Sequence, residues 1–232
     1  MGTFIVLEGG EGCGKSTQAR LLYRRLLEEG YPSLLLHEPG GTPLGEQVRR
    51  LLMAQRGERK GAISPLAELL LFSTARAELV QKVLRPALTE GRVVVCDRYT
   101  PSTIAYQGYG RGIPLETIDQ VNRLSTESLK PDLVVLLDMK PEDGLRRVRA
   151  QVTMDVVPGP RSAEPRGSEE GSQRFEQESL AFHRKVRHGY LEQARSEPQR
   201  WLRVKGTLSQ ERIAEVIWER VELLVRRQGG EG

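Results

Sequence analysis

Cysteine, aromatic side chains and long apolar runs are all scarce in this chain, and each scarcity closes off a class of protein. Two cysteines in 232 residues, Cys13 and Cys96, are too few and too far apart for a disulfide framework or a four-ligand zinc site, so a reducing compartment fits. No apolar stretch approaches the roughly 18 to 20 residues that a membrane span requires. Residues 1–8 include an acid, Glu8, where a signal peptide would need a longer apolar core, and the expectation is a soluble, cytoplasmic protein with no membrane partner. Aromatics, the usual stacking platforms for single strands, are only 5% of the chain. The net charge of +4 has a local source, because residues 174–205 hold 8 Lys/Arg against 4 Asp/Glu. A solvated helix face or small anionic ligands explain that balance as well as a nucleic acid does.

What remains suits one sizeable α/β domain over 1–232, since 38% hydrophobic residues can build a core and disorder is excluded for the bulk. Short apolar runs, β-branched in the first, predict buried strands at 3–7, 33–37, 93–96, 133–138 and 201–204. Helical spacing places a first helix over 15–29, where Ala19, Leu22, Leu26 and Leu27 recur before Gly30. Further helices are expected over 44–53, 66–89, 114–128, 141–151, 175–196 and 209–227, with Pro86 kinking or shortening the 66–89 helix and Ser209 capping the last. Strands alternating with helical crossovers imply a five-stranded parallel sheet with helices on both faces. Residues 153–173 break the pattern, being rich in Pro, Gly and Ser among mixed charges, and read as an enlarged, mobile lid loop.

Gly9, Gly10, Glu11, Gly12, Cys13, Gly14, Lys15, Ser16 and Thr17 match GxxxxGK(S/T) between a strand and a helix. Glycines let backbone N–H groups turn inward around phosphate oxygens, and the helix N-terminus adds positive potential. Lys15 then reaches the β and γ phosphates of ATP, and the Ser16 hydroxyl can hold Mg²⁺. Asp97 ends an apolar strand at the edge where open parallel sheets bind ligands, which makes it the candidate second Mg²⁺ anchor. Asp138 competes for that role, but Arg98 directly follows Asp97 and sets an anion-binding guanidinium beside the metal site. A GTPase is disfavoured, because no NKxD occurs and none of the six Asp has Gly three positions on. Small kinases of nucleotides or metabolites are the leading class.

The segments His37-Glu38-Pro39-Gly40-Gly41-Thr42, Arg49, Leu71-Phe72-Ser73-Thr74-Ala75-Arg76, Asp97-Arg98-Tyr99 and Ala105-Tyr106-Gln107-Gly108 resemble, in order and spacing, those of thymidylate kinases. The resemblance runs from the P-loop to the final helix. It implies transfer of the ATP γ-phosphoryl group to dTMP, giving dTDP for dTTP synthesis, with Mg²⁺ and as a homodimer. By the same resemblance Phe72 stacks on thymine and Arg76 bonds its O4, Ser102 and Gln107 approach the base edge, and Tyr106 packs against the deoxyribose. Arg49 and Arg98 hold the dTMP phosphate, Glu11 contacts the 3′-hydroxyl, and Glu38 with Pro39 forms the turn beside sugar and phosphate. Without the resemblance, Phe72 and Tyr106 would be read as core.

Phosphoryl transfer spreads negative charge over the transferred group, so a cation beyond Lys15 and Arg98 is expected. The P-loop contains no arginine. In relatives of that kind the lid supplies it, which here, with the lid at about 147–174, points to Arg147, Arg149, Arg161, Arg166 or Arg174, with Arg149 first. Arg147 and residues 205–207 are expected to hold adenine. The sequence departs from the resemblance at Gln173-Arg174, where an Asp-Arg pair is usual, and at His37, where Arg is common. Two other readings stand beside this one: a kinase of another nucleoside monophosphate, and a P-loop nucleic-acid-binding module.

Overall fold

Strand β1 (Thr3–Glu8) is buried along its whole length, as its unbroken apolar run requires of a central strand with helices on both faces. Four further strands flank it in this computed structural model, which describes residues 2–53, 63–155 and 173–229. They are β2 (Ser33–His37), β3 (Val93–Asp97), β4 (Leu133–Asp138) and β5 (Trp201–Lys205), in the order β2-β3-β1-β4-β5, and every pairing is parallel. The register sets Leu7 opposite Asp97 and Glu8 opposite Leu136, so the ends of β1, β3 and β4 open at one edge. The crossovers run to one side of β1 for β2 and β3 and to the other for β4 and β5, and open α/β sheets bind ligands at such a switch point.

Alternation along β1 separates two cores. Ile5 and Leu7 pack with Leu22 and Leu26 of α1 (Lys15–Glu28) and with Ile217 and Val221 of α10 (Gln210–Gly229). Phe4 and Val6 face the other way, towards Leu79, Leu84 and Tyr99. Ser209 caps α10 as expected, its Oγ accepting the Arg212 N–H at 3.2 Å.

Helix α2 (Pro43–Met53) packs on α3 (Pro65–Leu79), which widens into a π-turn at Val80–Leu84 before α4 (Arg85–Thr89). The π-turn stands where a Pro86 kink was expected. Proline lacks the N–H and its ring crowds the carbonyl four residues back, so a wider turn just before it relieves both. After β3, a segment for which no element was expected is helical: α5 (Thr100–Thr103) runs into a π-helix at Ile104–Gly110.

Three other boundaries differ from expectation. Helix α6 (Leu115–Thr126) stops short of 128 because Glu127 and Ser128 turn left-handed, with φ of 49° and 61°. Helix α7 (Pro141–Asp155) runs past 151 into the expected lid, and residues 156–172 lie outside the described residues. The helix expected over 175–196 is split into α8 (Gln173–Glu176) and α9 (Leu180–Ser196), because Ser179 N-caps α9 by accepting the Phe182 N–H at 3.2 Å.

Candidate active site

The loop after β1 takes positive φ at Gly9 (146°), Gly12 (67°) and Gly14 (90°), conformations that a side chain would strain. Gly12 also meets α7 so closely that a Cβ on it would lie 2.2 Å from the Gly144 oxygen. The loop is therefore clamped between sheet and helix. Lys15 folds across it, its Nζ donating to the Gly10 carbonyl at 2.7 Å.

Ser16 and Asp97, predicted as a pair from distant positions, are brought together: Ser16 Oγ donates to Asp97 Oδ2 at 2.5 Å. The other Asp97 oxygen, Oδ1, is buried and has no hydrogen-bond partner among the described residues. A hydroxyl and a carboxylate with a spare buried oxygen are hard donors that fit Mg²⁺. Asp138, the alternative anchor, is already claimed by Arg187 at 2.7 and 3.1 Å and by Arg203 at 3.1 and 2.6 Å. Burial alone would raise its carboxyl, yet these two arginines hold it below the ordinary value. Among the described residues, no group of three or more His, Cys, Asp or Glu could hold a metal. Phosphate and water would supply the other ligands of a Mg²⁺ ion here.

Arg98 sits at the centre of the site. Its φ of 72° is rare for a residue with a side chain, and the strained backbone turns the guanidinium back over the P-loop. Nη1 donates to Gly9 O, Ser102 Oγ and Tyr190 Oη at 3.2 to 3.3 Å, and Nη2 to Glu11 Oε1 at 3.1 Å and Tyr106 Oη at 3.3 Å. Tyr106 Oη donates in turn to Glu11 Oε1 at 2.6 Å. Burial pushes the Tyr106 and Tyr190 hydroxyls up, so both stay protonated. Glu8 lies beneath this hub and accepts from Tyr99 N, Ser102 N, Ser102 Oγ and Tyr190 Oη at 2.7 to 3.2 Å. Desolvation raises the Glu8 carboxyl, against the pull of Arg98 and these donors.

Arg49 donates to the Pro39 carbonyl at 3.1 Å. Burial lowers its affinity for its proton, Glu46 and Asp97 oppose that shift, and repulsion from Arg98 adds to it. Arg98, by contrast, is held against the cost of burial above its ordinary value by Tyr106, Glu11, Tyr190 and Glu8, so it stays charged, and positive charge at a sheet edge suits an anion. Arg76 lies deeper than a base-edge role suggests, only 1% exposed, with bonds to Glu38 Oε2 (2.8 Å), Asn122 Oδ1 (3.1 Å) and Tyr99 O (3.3 Å). Burial pushes the Glu38 carboxyl up to about 7 despite Arg76.

Phe72 is half-buried and faces Phe175 at 6.3 Å, while Phe175 meets the edge of Tyr106 at 5.2 Å. Gln107 is buried and donates through Nε2 to Glu68 Oε1 at 2.8 Å. Of the lid arginines, Arg147 donates to the Gly206 carbonyl at 3.0 Å, which brings α7 against the loop after β5, and Arg149 is exposed on α7. Arg161 and Arg166 lie outside the described residues, and so does the side chain of Arg174.

Sequence reasoning missed Glu8, Glu68, Arg111, Phe175 and Tyr190. For Glu8 a signal existed, an acid closing a strand of buried residues. The other four are charged or aromatic positions on helices or, for Arg111, just past one, and they carry no local sign of their partners.

A parallel sheet with a glycine-rich loop leading into a Lys-Ser helix start at its switch point, and a hydroxyl–carboxylate pair beside it, defines the class of P-loop phosphotransferases. The profile of the family described as Thymidylate kinase matches residues 7–217, and the chain belongs to that family. It is 48% identical over 219 residues to a thymidylate kinase of Synechococcus sp. (strain JA-2-3B'a(2-13)), covering 94% of each chain. It is 46% identical over 206 residues to that of Geotalea daltonii, covering 89% of this chain and 90% of the other. A solved thymidylate kinase structure from Ehrlichia chaffeensis superposes with a TM-score of 0.69 at 31% identity, over 96% of this chain and 98% of that one.

Proposed function

We propose that this protein transfers the γ-phosphoryl group of ATP to dTMP, giving dTDP and ADP. The observation that carries this reading is Arg98, whose guanidinium spans from the P-loop (Gly9, Glu11) to the aromatic pocket (Tyr106, Tyr190). One side chain thus faces both the donor phosphates and the acceptor site. A dTMP phosphate oxygen held by Arg49 and Arg98 attacks the γ phosphorus, the bond to the β-phosphate oxygen breaks, and ADP leaves with the electron pair. Lys15 and a lid arginine, Arg149 by first choice, neutralise charge on the transferred group. Mg²⁺, held by Ser16 and Asp97, would add its charge to the phosphates when bound. Phe72, Tyr106 and Phe175 surround the base and sugar, Ser102, Gln107 and Arg76 address the base edge, and Glu11, Glu38 and Pro39 address the sugar and phosphate.

The chain works as one domain over 1–232, with a lid of about 147–174. It pairs as a homodimer: Leu44 and Leu51 on α2 and Leu66 and Leu70 on α3, two helices packed on each other, all expose large apolar side chains. No helix among the described residues is long and apolar enough to cross a membrane. A cytoplasmic location goes with this reading, because both nucleotide substrates are small cytoplasmic anions. The test is ADP formation from ATP and Mg²⁺ with dTMP, dUMP, dCMP, dGMP, AMP, CMP and GMP in turn. Strong preference for dTMP is expected. Preference for another monophosphate overturns the base-pocket assignment, and turnover with none overturns the enzyme.

A further inference from the structure

Glu68, Phe72 and Arg76 are spaced i, i+4, i+8 on α3, which places them on one stripe of the helix. That stripe meets the π-helix carrying Tyr106 and Gln107. Phe72 and Arg76 have roles in the site as read above, whereas Glu68 has none. Yet it is a carboxylate only 1% exposed, a position acids rarely occupy without a specific partner. Its partners are specific. Arg111 donates from Nε to Oε1 at 3.1 Å and from Nη2 to Oε2 at 3.2 Å, and Gln107 Nε2 donates to Oε1 at 2.8 Å. Arg111 is itself fixed by Glu178 at 2.8 Å and by the Phe182 ring, whose centroid lies 4.7 Å from its guanidinium carbon.

The chemistry of this cluster decides a question of orientation. A carboxylate paired with a guanidinium only accepts hydrogen bonds, so the end of Gln107 that meets Glu68 must be the NH₂. The Gln107 carbonyl oxygen is thereby turned away from Glu68. Thymine carries a donor at N3–H, complementary to that carbonyl, whereas cytosine carries an acceptor at N3 and would need the amide reversed. Resting on the reading of Gln107 as a base-edge residue, we propose that Glu68, anchored by Arg111, is the positioning residue that locks the Gln107 amide in the acceptor-out orientation and so sets discrimination between dTMP and dCMP.

In Glu68→Gln the new amide can accept or donate, so either end of Gln107 finds a partner and the lock is lost. The ratio of kcat/KM for dTMP over dCMP is expected to fall about tenfold, equivalent to about 1.4 kcal/mol, chiefly through a higher KM for dTMP. Glu68→Asp, which keeps a pure acceptor, should restore most of the ratio. Gln107→Ala should lower the ratio by itself, and adding Glu68→Gln to it should lower it no further. A ratio within twofold of the parent in Glu68→Gln, while Gln107→Ala collapses it, overturns the positioning role alone. If Gln107→Ala leaves both KM for dTMP and the ratio unchanged, the base-edge reading fails and the proposal falls with it. A measurement on the unaltered protein guards against a variant that does not fold. NOEs between the Gln107 NH₂ protons and the Glu68 side chain should persist when dTMP binds, because the NH₂ remains on Glu68. Their loss, with NOEs from the NH₂ to the ligand in their place, would show the NH₂ turning to the ligand and would overturn the lock.

Discussion

Replacing Arg98 by lysine keeps the charge and removes the fork, which isolates geometry from electrostatics. Both residues carry a Cβ, so the strain at φ 72° is common to the two proteins and cancels. Arg98 makes five contacts of 3.1 to 3.3 Å through two nitrogens set in a rigid plane. A single ammonium has three donors and cannot reach both the Gly9–Ser102–Tyr190 side and the Glu11–Tyr106 side. At least two contacts are therefore lost, along with bidentate grip on a phosphate. At about 1.5 kcal/mol for each hydrogen bond involving a charged group, the loss in the transition state is about 3 kcal/mol, or roughly 100-fold in kcat/KM for dTMP. The lost contacts lie within the protein, so the fold should lose stability on the same scale, up to about 3 kcal/mol, while Glu11 keeps the Tyr106 hydroxyl at 2.6 Å. Steady-state coupled assays with dTMP and ATP varied separately, alongside urea unfolding, measure both. A kcat/KM for dTMP within fivefold of the parent would refute the reasoning, because point charge alone would then suffice.

Glu38 should make stability depend on pH, since its folded value of about 7 lies above the ordinary 4.5. A group raised in this way contributes stability that is fully present below about 4.5 and is lost as pH rises through 7, on the order of 3 kcal/mol in all. Glu38→Gln mimics the neutral acid, so its stability relative to the parent should rise by about 2 to 3 kcal/mol between pH 5 and 8 in urea unfolding; a difference flat with pH would contradict the burial argument. Gly144→Ala places a Cβ 2.2 Å from the Glu11 carbonyl oxygen, backbone that cannot yield cheaply. Stability should drop by about 1 to 3 kcal/mol and KM for ATP should rise, and an unchanged KM would mean that the P-loop does not depend on this clamp. Leu51→Glu with Leu70→Glu, both on exposed positions, should turn a dimer into a monomer in sedimentation velocity without loss of helical signal. A parent protein that already sediments as a monomer would remove the proposed pairing face.

Strands at 33–37 and 133–138 and the P-loop match the structure because their signals are local: short apolar runs, glycines at forced dihedrals, a lysine and a hydroxyl at a helix start. Asp97 was legible for the same reason, an acid ending an apolar strand. The helical stretch Thr100–Gly110 was not, because its Pro, Ser and Gly residues give no helical period of apolar side chains. It is helical because Glu8, more than 90 residues earlier in the chain, accepts the N–H groups of Tyr99 and Ser102. The partners of Asp138 were likewise not legible, because only the sheet and α9 bring Arg187 and Arg203 to it. The sequence alone thus determined the parallel α/β architecture, the phosphate loop and the family, all written in neighbouring residues and in periodicity. Only the tertiary structure decided which buried carboxylate meets which donor, because Glu8, Glu38 and Glu68 are held by residues 38 to 182 positions away, and burial makes those pairings, rather than local propensity, set the energy.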